Sequence, residues 1–245
     1  VKKVTFVKVG DRFKNNTGNW CEVLQVNKWD DVIVRFDNTS TVKSFQADSL
    51  KRGVFHDPYN KAYWGFGCIG AGKYSGKTHK SAFNTWMHMV ERCYDVTSKP
   101  YSLYGGNGVT VSDEWSNFQT FAEWFEVNKV EGWHMDKDFL QPFSKVYSKE
   151  TCVFIPPAVN GLFTGYHTDV KNMGVGLTKS GTWYSACTVD GKQKYLGVSK
   201  TWLEAKTKYL EEKRKVVNKL LKEYTLPKPI VNTMYEMTGI YFYLD

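Results

Sequence analysis

The chain opens on short runs in which apolar and polar residues alternate. Val4-Thr5-Phe6-Val7, Glu22-Val23-Leu24-Gln25-Val26, Val32-Ile33-Val34-Arg35-Phe36 and Thr41-Val42-Lys43-Ser44-Phe45 are rich in β-branched and aromatic residues. Asn15-Asn16-Thr17-Gly18-Asn19, Trp29-Asp30-Asp31 and Asp37-Asn38-Thr39-Ser40 stand between them and carry turn chemistry. Such runs, punctuated in this way, predict antiparallel strands. Roughly four or five short strands are too few for a sandwich, so a small N-terminal β-barrel over residues 1–58 is expected.

From residue 59 the period lengthens. Phe83, Trp86, Met87, Val90 and Tyr94 recur at helical spacing with Ser81 available as N-cap, and Trp115, Phe118, Phe121, Ala122 and Phe125 mark a second helix. These stripes read as core packing. In the last third, runs at 175–177, 182–189 and 194–198 predict three strands, with Asp190-Gly191 as a hairpin turn. Thr201-Trp202-Leu203-Glu204 has capping-box form and opens a long helix that runs through Leu210, Val217, Leu220 and Leu221 to Tyr224, before Pro227. The pattern is that of an α+β, multi-module chain. A β-barrel covers 1–58, a helix-flanked central domain 59–165, and a three-stranded sheet with a long C-terminal helix 166–245.

Composition narrows the class. With 42% hydrophobic and 16% aromatic residues the chain is not disordered, and no apolar run approaches the ~18 residues of a membrane span. The opening residues lack the apolar stretch of a secretory leader. The five cysteines are odd in number, widely spaced and never in a Cys-x-x-Cys pair, which argues for a reducing, cytoplasmic setting. The net charge of +8 is unevenly spread. Residues 1–58 carry ten basic and seven acidic groups, a net +3; residues 59–165 carry ten of each; residues 166–245 carry thirteen and eight, a net +5. Basic flanks around a neutral centre suit a polyanionic partner.

Ala71-Gly72-Lys73-Tyr74-Ser75-Gly76-Lys77-Thr78 satisfies a permissive phosphate-loop pattern. No alternation of strands and helices follows it, so the glycines read as a turn-rich connector, with Lys73 and Lys77 placed to line a phosphate backbone. Further on come Trp133-His134-Met135-Asp136-Lys137-Asp138-Phe139-Leu140, then Tyr147-Ser148-Lys149-Glu150-Thr151-Cys152 and Asn160. This stretch resembles the phage-borne HNH (His-Me finger) endonuclease-like proteins, whose pattern runs Leu-Asp-Lys-Asp, Tyr-Ser-Pro-Glu-Thr-Cys and a terminal Asn. The segments around Trp86–Tyr94, Tyr104–Gly108 and Glu114–Phe118 are similar to what precedes the finger in that family. Downstream, Gly174-Val175-Gly176, Trp183-Tyr184-Ser185-Ala186, Leu196-Gly197 and Glu204-Ala205 resemble the APETALA-type DNA-binding domain of plant transcription factors and phage homing endonucleases.

The resemblance implies a ββα-metal finger in the centre and a DNA-reading domain at the C-terminus. It implies a divalent cation, Mg²⁺ or Mn²⁺, held by Asp136 and Asn160, with Lys137 at the base position and Thr151 where the family has an orienting Asn. The spacings, 14 residues from Lys137 to Thr151 and 9 more to Asn160, match. A lysine with an ordinary pKa of ~10.4 makes a poor base at neutral pH. His134, Asp136 and Asp138 lie at period two, so either His134 or Asp138 could supply the base from one strand face. The alternative for His134 is an exposed strand-end residue, and for Asp138 a turn or cap group. The other histidines, His56, His79, His88 and His167, show no metal-ligand spacing.

In the C-terminal sheet, Lys179, Trp183, Tyr184, Lys192, Lys194 and Tyr195 place cations and aromatics for double-stranded DNA, as the resemblance implies, against the alternative that Trp183 packs on the helix. The basic groups of that helix (Lys206, Lys208, Lys213, Arg214, Lys215, Lys219), interleaved with Glu204, Glu211 and Glu212, read as a solvated face with i,i+4 pairs. Two functions follow. One is a DNA-binding, homing-endonuclease-like hydrolase. The other is a catalytically dead scaffold that binds DNA or a host or phage protein, as inhibitor or structural factor.

Overall fold

The alternating runs form β1 (Arg12–Lys14), β2 (Trp20–Lys28), β3 (Asp31–Phe36) and β4 (Val42–Phe45), an antiparallel sheet in chain order. The computed structural model describes residues 6–162 and 173–238. The sheet stays open, with β1 and β4 as its edges, so the expected barrel does not close. The physical reason is visible in its buried face. Cys21, Val23, Val32, Val34 and Phe36 are covered by Leu50 of α1 (Ala47–Lys51) and by Phe55, which leaves no apolar face for closure to bury. The strand expected at 4–7 lies partly outside the described residues, and Phe6 and Val7 are not in a strand.

The chain divides into two compact units, 1–125 and 126–245. In the first, α2 (Lys80–Tyr94) begins one residue before Ser81, so Ser81 lies inside the helix and His79 takes the N-cap position without a side-chain cap bond. A two-residue strand, β5 (Thr110–Val111), is tied to α2 by the Tyr94 hydroxyl, which accepts from Val111 N at 3.1 Å. The apolar stripe of α3 (Phe118–Asn128) buries Phe118, Phe121, Ala122 and Phe125. Trp115 precedes that helix and joins the same aromatic core, its carbonyl accepting from Trp86 Nε1 at 2.7 Å.

The second unit starts with an antiparallel ribbon, β6 (His134–Asp136) against β8 (Val153–Ile155). The two-residue β7 (Val146–Tyr147) lies in the connection, and α4 (Pro157–Leu162) follows at once. Next comes the predicted three-stranded sheet, β9 (Val175–Leu177), β10 (Trp183–Val189) and β11 (Lys192–Ser199), with β10 central. Asp190 and Gly191 turn the hairpin with φ of 50° and 75°, the left-handed pair that a two-residue loop of this kind demands. α5 (Trp202–Glu223) starts where its capping box predicts, Thr201 Oγ1 accepting from Glu204 N at 3.2 Å. A further helix, α6 (Lys228–Thr238), was not expected from the sequence, although Ile230, Met234 and Met237 bear its i, i+4, i+7 signature.

α5 serves two cores. Its first half supplies Ala205 and Tyr209 to the sheet's buried face, with Val175 and Cys187. Its second half supplies Val216, Val217 and Leu220 to a core shared with Phe139, Ile155, Val159 and Leu162 of the β6–α4 segment and with α6. The boundary expected at 165/166 and His167 lie outside the described residues. Among the described residues no helix is long and apolar enough to cross a membrane.

Candidate functional site

Most of the predicted site residues fall in two regions of the second unit, while Lys73 and Lys77 lie in the first. The first region is the β6–β8 ribbon and the helix that follows it, α4. The extended segment ends at Asp136, so His134 and Asp136 share a strand face and Asp138 falls in the bend beyond it. His134 is exposed and Asp136 half-buried. Asp136 Oδ1 accepts from the backbone N–H groups of Asp138 at 2.8 Å and Phe139 at 2.7 Å, which turns the chain out of the strand. Asn160 sits half-buried on α4, next to buried Val159.

Lys137, at the base position, is buried, and its ammonium is engaged. Nζ donates to Asp138 Oδ1 at 2.5 Å and to the Ser144 carbonyl at 2.8 Å, and stands 5.6 Å from the Tyr147 ring centroid. A base must offer a lone pair to a proton; here Nζ acts as a donor. Thr151 holds the second motif in shape. Its hydroxyl donates to the Val146 carbonyl at 2.8 Å and accepts from Ser148 N at 3.0 Å. Cys152 is sealed beneath this turn, and burial pushes its thiol up to about 12. Among the described residues no group of three or more His, Cys, Asp or Glu side chains gathers in metal-binding geometry.

The second region is the three-stranded sheet. Strand alternation sends Trp183, Ser185 and Cys187 toward α5, and Tyr184, Ala186 and Thr188 to the opposite face. Trp183 therefore packs into the core. Lys194, in register with Cys187, reaches α5 and donates to Glu212 Oε1 at 2.7 Å. That bond holds the Glu212 carboxyl below the usual carboxylate range, against the opposing pull of burial. The outer face shows Tyr184 and Tyr195, with Thr178, Ala186 and Gln193 around a shallow hollow of about 410 Å³. Gly176 lets the Tyr184 ring lie across the sheet, because a Cβ there would stand 2.5 Å from the ring's tip. Lys179 and Lys192 are exposed in the β9–β10 connection and at the start of β11.

Period-two counting from Tyr184, had it been carried across the strand, would have found Gln193 and Thr178 and set aside Trp183. It does not reveal the bulge between Ser185 and Ala186, where Leu196 is the extra residue between Tyr195 and Gly197. On α5 the charged groups expected to form mainly a solvated face include two that are not solvated. Glu212 and Lys213 are buried, because this stretch of helix lies against both the sheet and the β6–α4 segment. Lys206 and Lys208 donate to the carbonyls of Met173 and Val198.

In the first unit, Lys73 and Lys77 are exposed on the glycine-rich connector. Gln119 stitches that loop, donating to the carbonyls of Ile69 at 3.0 Å and Tyr74 at 2.9 Å and accepting from Tyr74 N at 3.0 Å. Lys73 Nζ stands 5.0 Å from the Tyr74 ring centroid. No family model, curated protein or solved structure matches the chain.

Proposed function

We propose that the protein binds double-stranded DNA through the outer face of its C-terminal sheet, on a finger scaffold of the HNH, phage homing-endonuclease type. The observation that carries this reading is the outer face itself. Two tyrosines and the polar groups of Gln193 and Thr178 share one twisted three-stranded surface, flanked by exposed Lys179 and Lys192. A ribbon of that width enters a major groove, where hydroxyl and amide groups read base edges and cations meet phosphates. The net +5 of residues 166–245 supplies the attraction. Binding of a labelled duplex, followed by anisotropy against salt, tests it. Affinity should fall steeply as salt rises; a slope near zero overturns the reading.

Within this reading the finger is primarily a scaffold, because Lys137 and Thr151 spend their polar atoms on its own loops. A second reading, metal-dependent hydrolysis of a phosphodiester, is favoured by His134 and Asp136 sharing one strand face with Asn160 on the next helix. Asp136 and Asn160 are hard oxygen donors of the kind Mg²⁺ or Mn²⁺ accepts, and such an ion polarises a scissile phosphate. Asp136 Oδ1 already holds two N–H groups, which leaves Oδ2 for that role. His134, exposed beside it, is the residue to take a proton from water. Incubation with supercoiled plasmid and Mn²⁺ separates the two readings. Nicking that is lost in His134→Ala establishes the hydrolase, and intact plasmid at high protein leaves the binding protein.

A further inference from the structure

The connection between β6 and β8 holds a bulky aromatic in a backbone conformation that favours glycine. Gln141-Pro142-Phe143-Ser144 is a turn closed by Ser144 N donating to the Gln141 carbonyl at 3.1 Å. Proline occupies the second position, and Phe143 the third with φ of +67°. That third position, left-handed after proline, is where glycine or asparagine normally stands. A bulky aromatic there is a genuine outlier. The ring is also 65% exposed, so burial does not offset the strain. Backbone preference argues for glycine at this position, and solvent exposure argues for a polar residue. The chain carries phenylalanine.

The turn is held from below. The buried Lys137 ammonium clamps the Ser144 carbonyl at 2.8 Å, and Gln141 Nε2 donates to the Glu150 carbonyl at 3.3 Å. Lys137, standing where the finger pattern has its base, thus fixes the loop that displays Phe143. Exposed Lys145 and Lys149 follow within six residues on the same connection. An apolar ring on a clamped turn with cations beside it is complementary to stacked bases between phosphates.

We propose that Phe143 is a wedge that inserts into or stacks upon an opened base step of the DNA bound by this protein, with Lys145 and Lys149 meeting the adjoining phosphates. The proposal rests on the DNA-binding reading and adds a distortion of the duplex to it. Strain held at an exposed residue is then part of the contact: the turn presents the ring without further ordering when DNA arrives.

The test uses the full chain and duplexes carrying 2-aminopurine at varied positions, at low salt. Binding of wild type should raise the fluorescence severalfold for at least one position. Phe143→Gly, which relieves the left-handed strain and should melt no lower than wild type, should bind roughly tenfold more weakly and give no rise. Phe143→Trp should retain the rise. Tight binding without any fluorescence change in wild type overturns the wedge and leaves the DNA-binding reading standing. An unchanged rise in Phe143→Gly also overturns it and leaves the exposed ring to a protein surface. Failure of wild type to bind any duplex overturns the DNA-binding reading and the wedge with it.

Discussion

Lys213, on α5, donates from Nζ to the backbone carbonyl of Leu162 at the end of α4. Both residues are buried, so the ammonium and the carbonyl satisfy one another away from water. The ammonium also joins α4 to the helix that backs the sheet, and it stands 5.7 Å from the Tyr209 ring centroid.

That burial has a pH signature. Desolvation lowers Lys213 from 10.5 to about 8, with nearby Lys206 adding to the fall and Cys187 opposing it. The folded state therefore releases this proton before the unfolded chain does. The cost of burying the charge is fully present below pH 8 and fades as pH climbs toward 10.5. Relative to Lys213→Met, wild-type unfolding free energy should rise by about 2 kcal/mol between roughly pH 7 and 9.5. Cys21 and Cys152, which burial raises to about 11 and about 12, act in the opposite direction above pH 9 but equally in both proteins. Urea titrations of the pair across this range measure the difference, and a difference independent of pH would discount Lys213 as the titrating group.

Thr151 ties Ser148 N to the Val146 carbonyl through one hydroxyl. Thr151→Ala should cost about 1–3 kcal/mol, since two backbone partners lose their bonds and the Ser148 N–H is buried, while Thr151→Ser should recover most of that. Thermal melts compare them. Equal stability of all three would mean that water replaces the hydroxyl.

Gly176 and Tyr184 are a matched pair. Gly176→Ala places a methyl 2.5 Å from the ring's tip, so Tyr184 must leave its place on the outer face. DNA affinity should fall roughly fivefold or more, equivalent to about 1 kcal/mol, with the sheet still folded. Anisotropy for binding and circular dichroism for folding separate the two effects. Undiminished affinity would remove Tyr184 from the interface.

The lysines of the sheet should divide. Lys179→Ala and Lys192→Ala should each lower the slope of log Kd against log salt by about 1, because each loses one phosphate contact. Lys194→Ala should leave that slope unchanged and instead weaken the fold, because its charge is engaged by buried Glu212. Salt titrations of the three variants decide whether the division holds.

The strands of the first module, the Asp190-Gly191 hairpin and the start of α5 at Thr201 were legible because local chemistry sets them: alternation, a left-handed turn pair and a capping hydroxyl. The open edge of the first sheet was not, since strand patterning does not reveal that Leu50 and Phe55 complete the cover. Trp183 and Tyr184 are adjacent and equally suited to DNA by type, and only the side on which α5 packs tells them apart. Lys137 shows the same limit more sharply. Its position in a motif suggested chemistry, whereas its burial and its bond to Ser144 assign it to the loop's architecture. Lys213 looked like one more solvated lysine, because the second surface facing that helix belongs to residues more than fifty positions earlier.

The double allegiance of α5 sets how the chain responds to being cut. A break in the backbone between Leu162 and Met173 would leave Phe139, Ile155, Val159 and Leu162 on one fragment and Val216, Val217, Leu220, Ile230 and Met234 on the other. Neither fragment can shed that apolar surface without exposing it to water, so the two halves should travel together as a reconstituted complex. Expressed from separate genes, they should find one another, and the β6–α4 segment should behave as the obligate partner of the sheet's helix rather than as a detachable module.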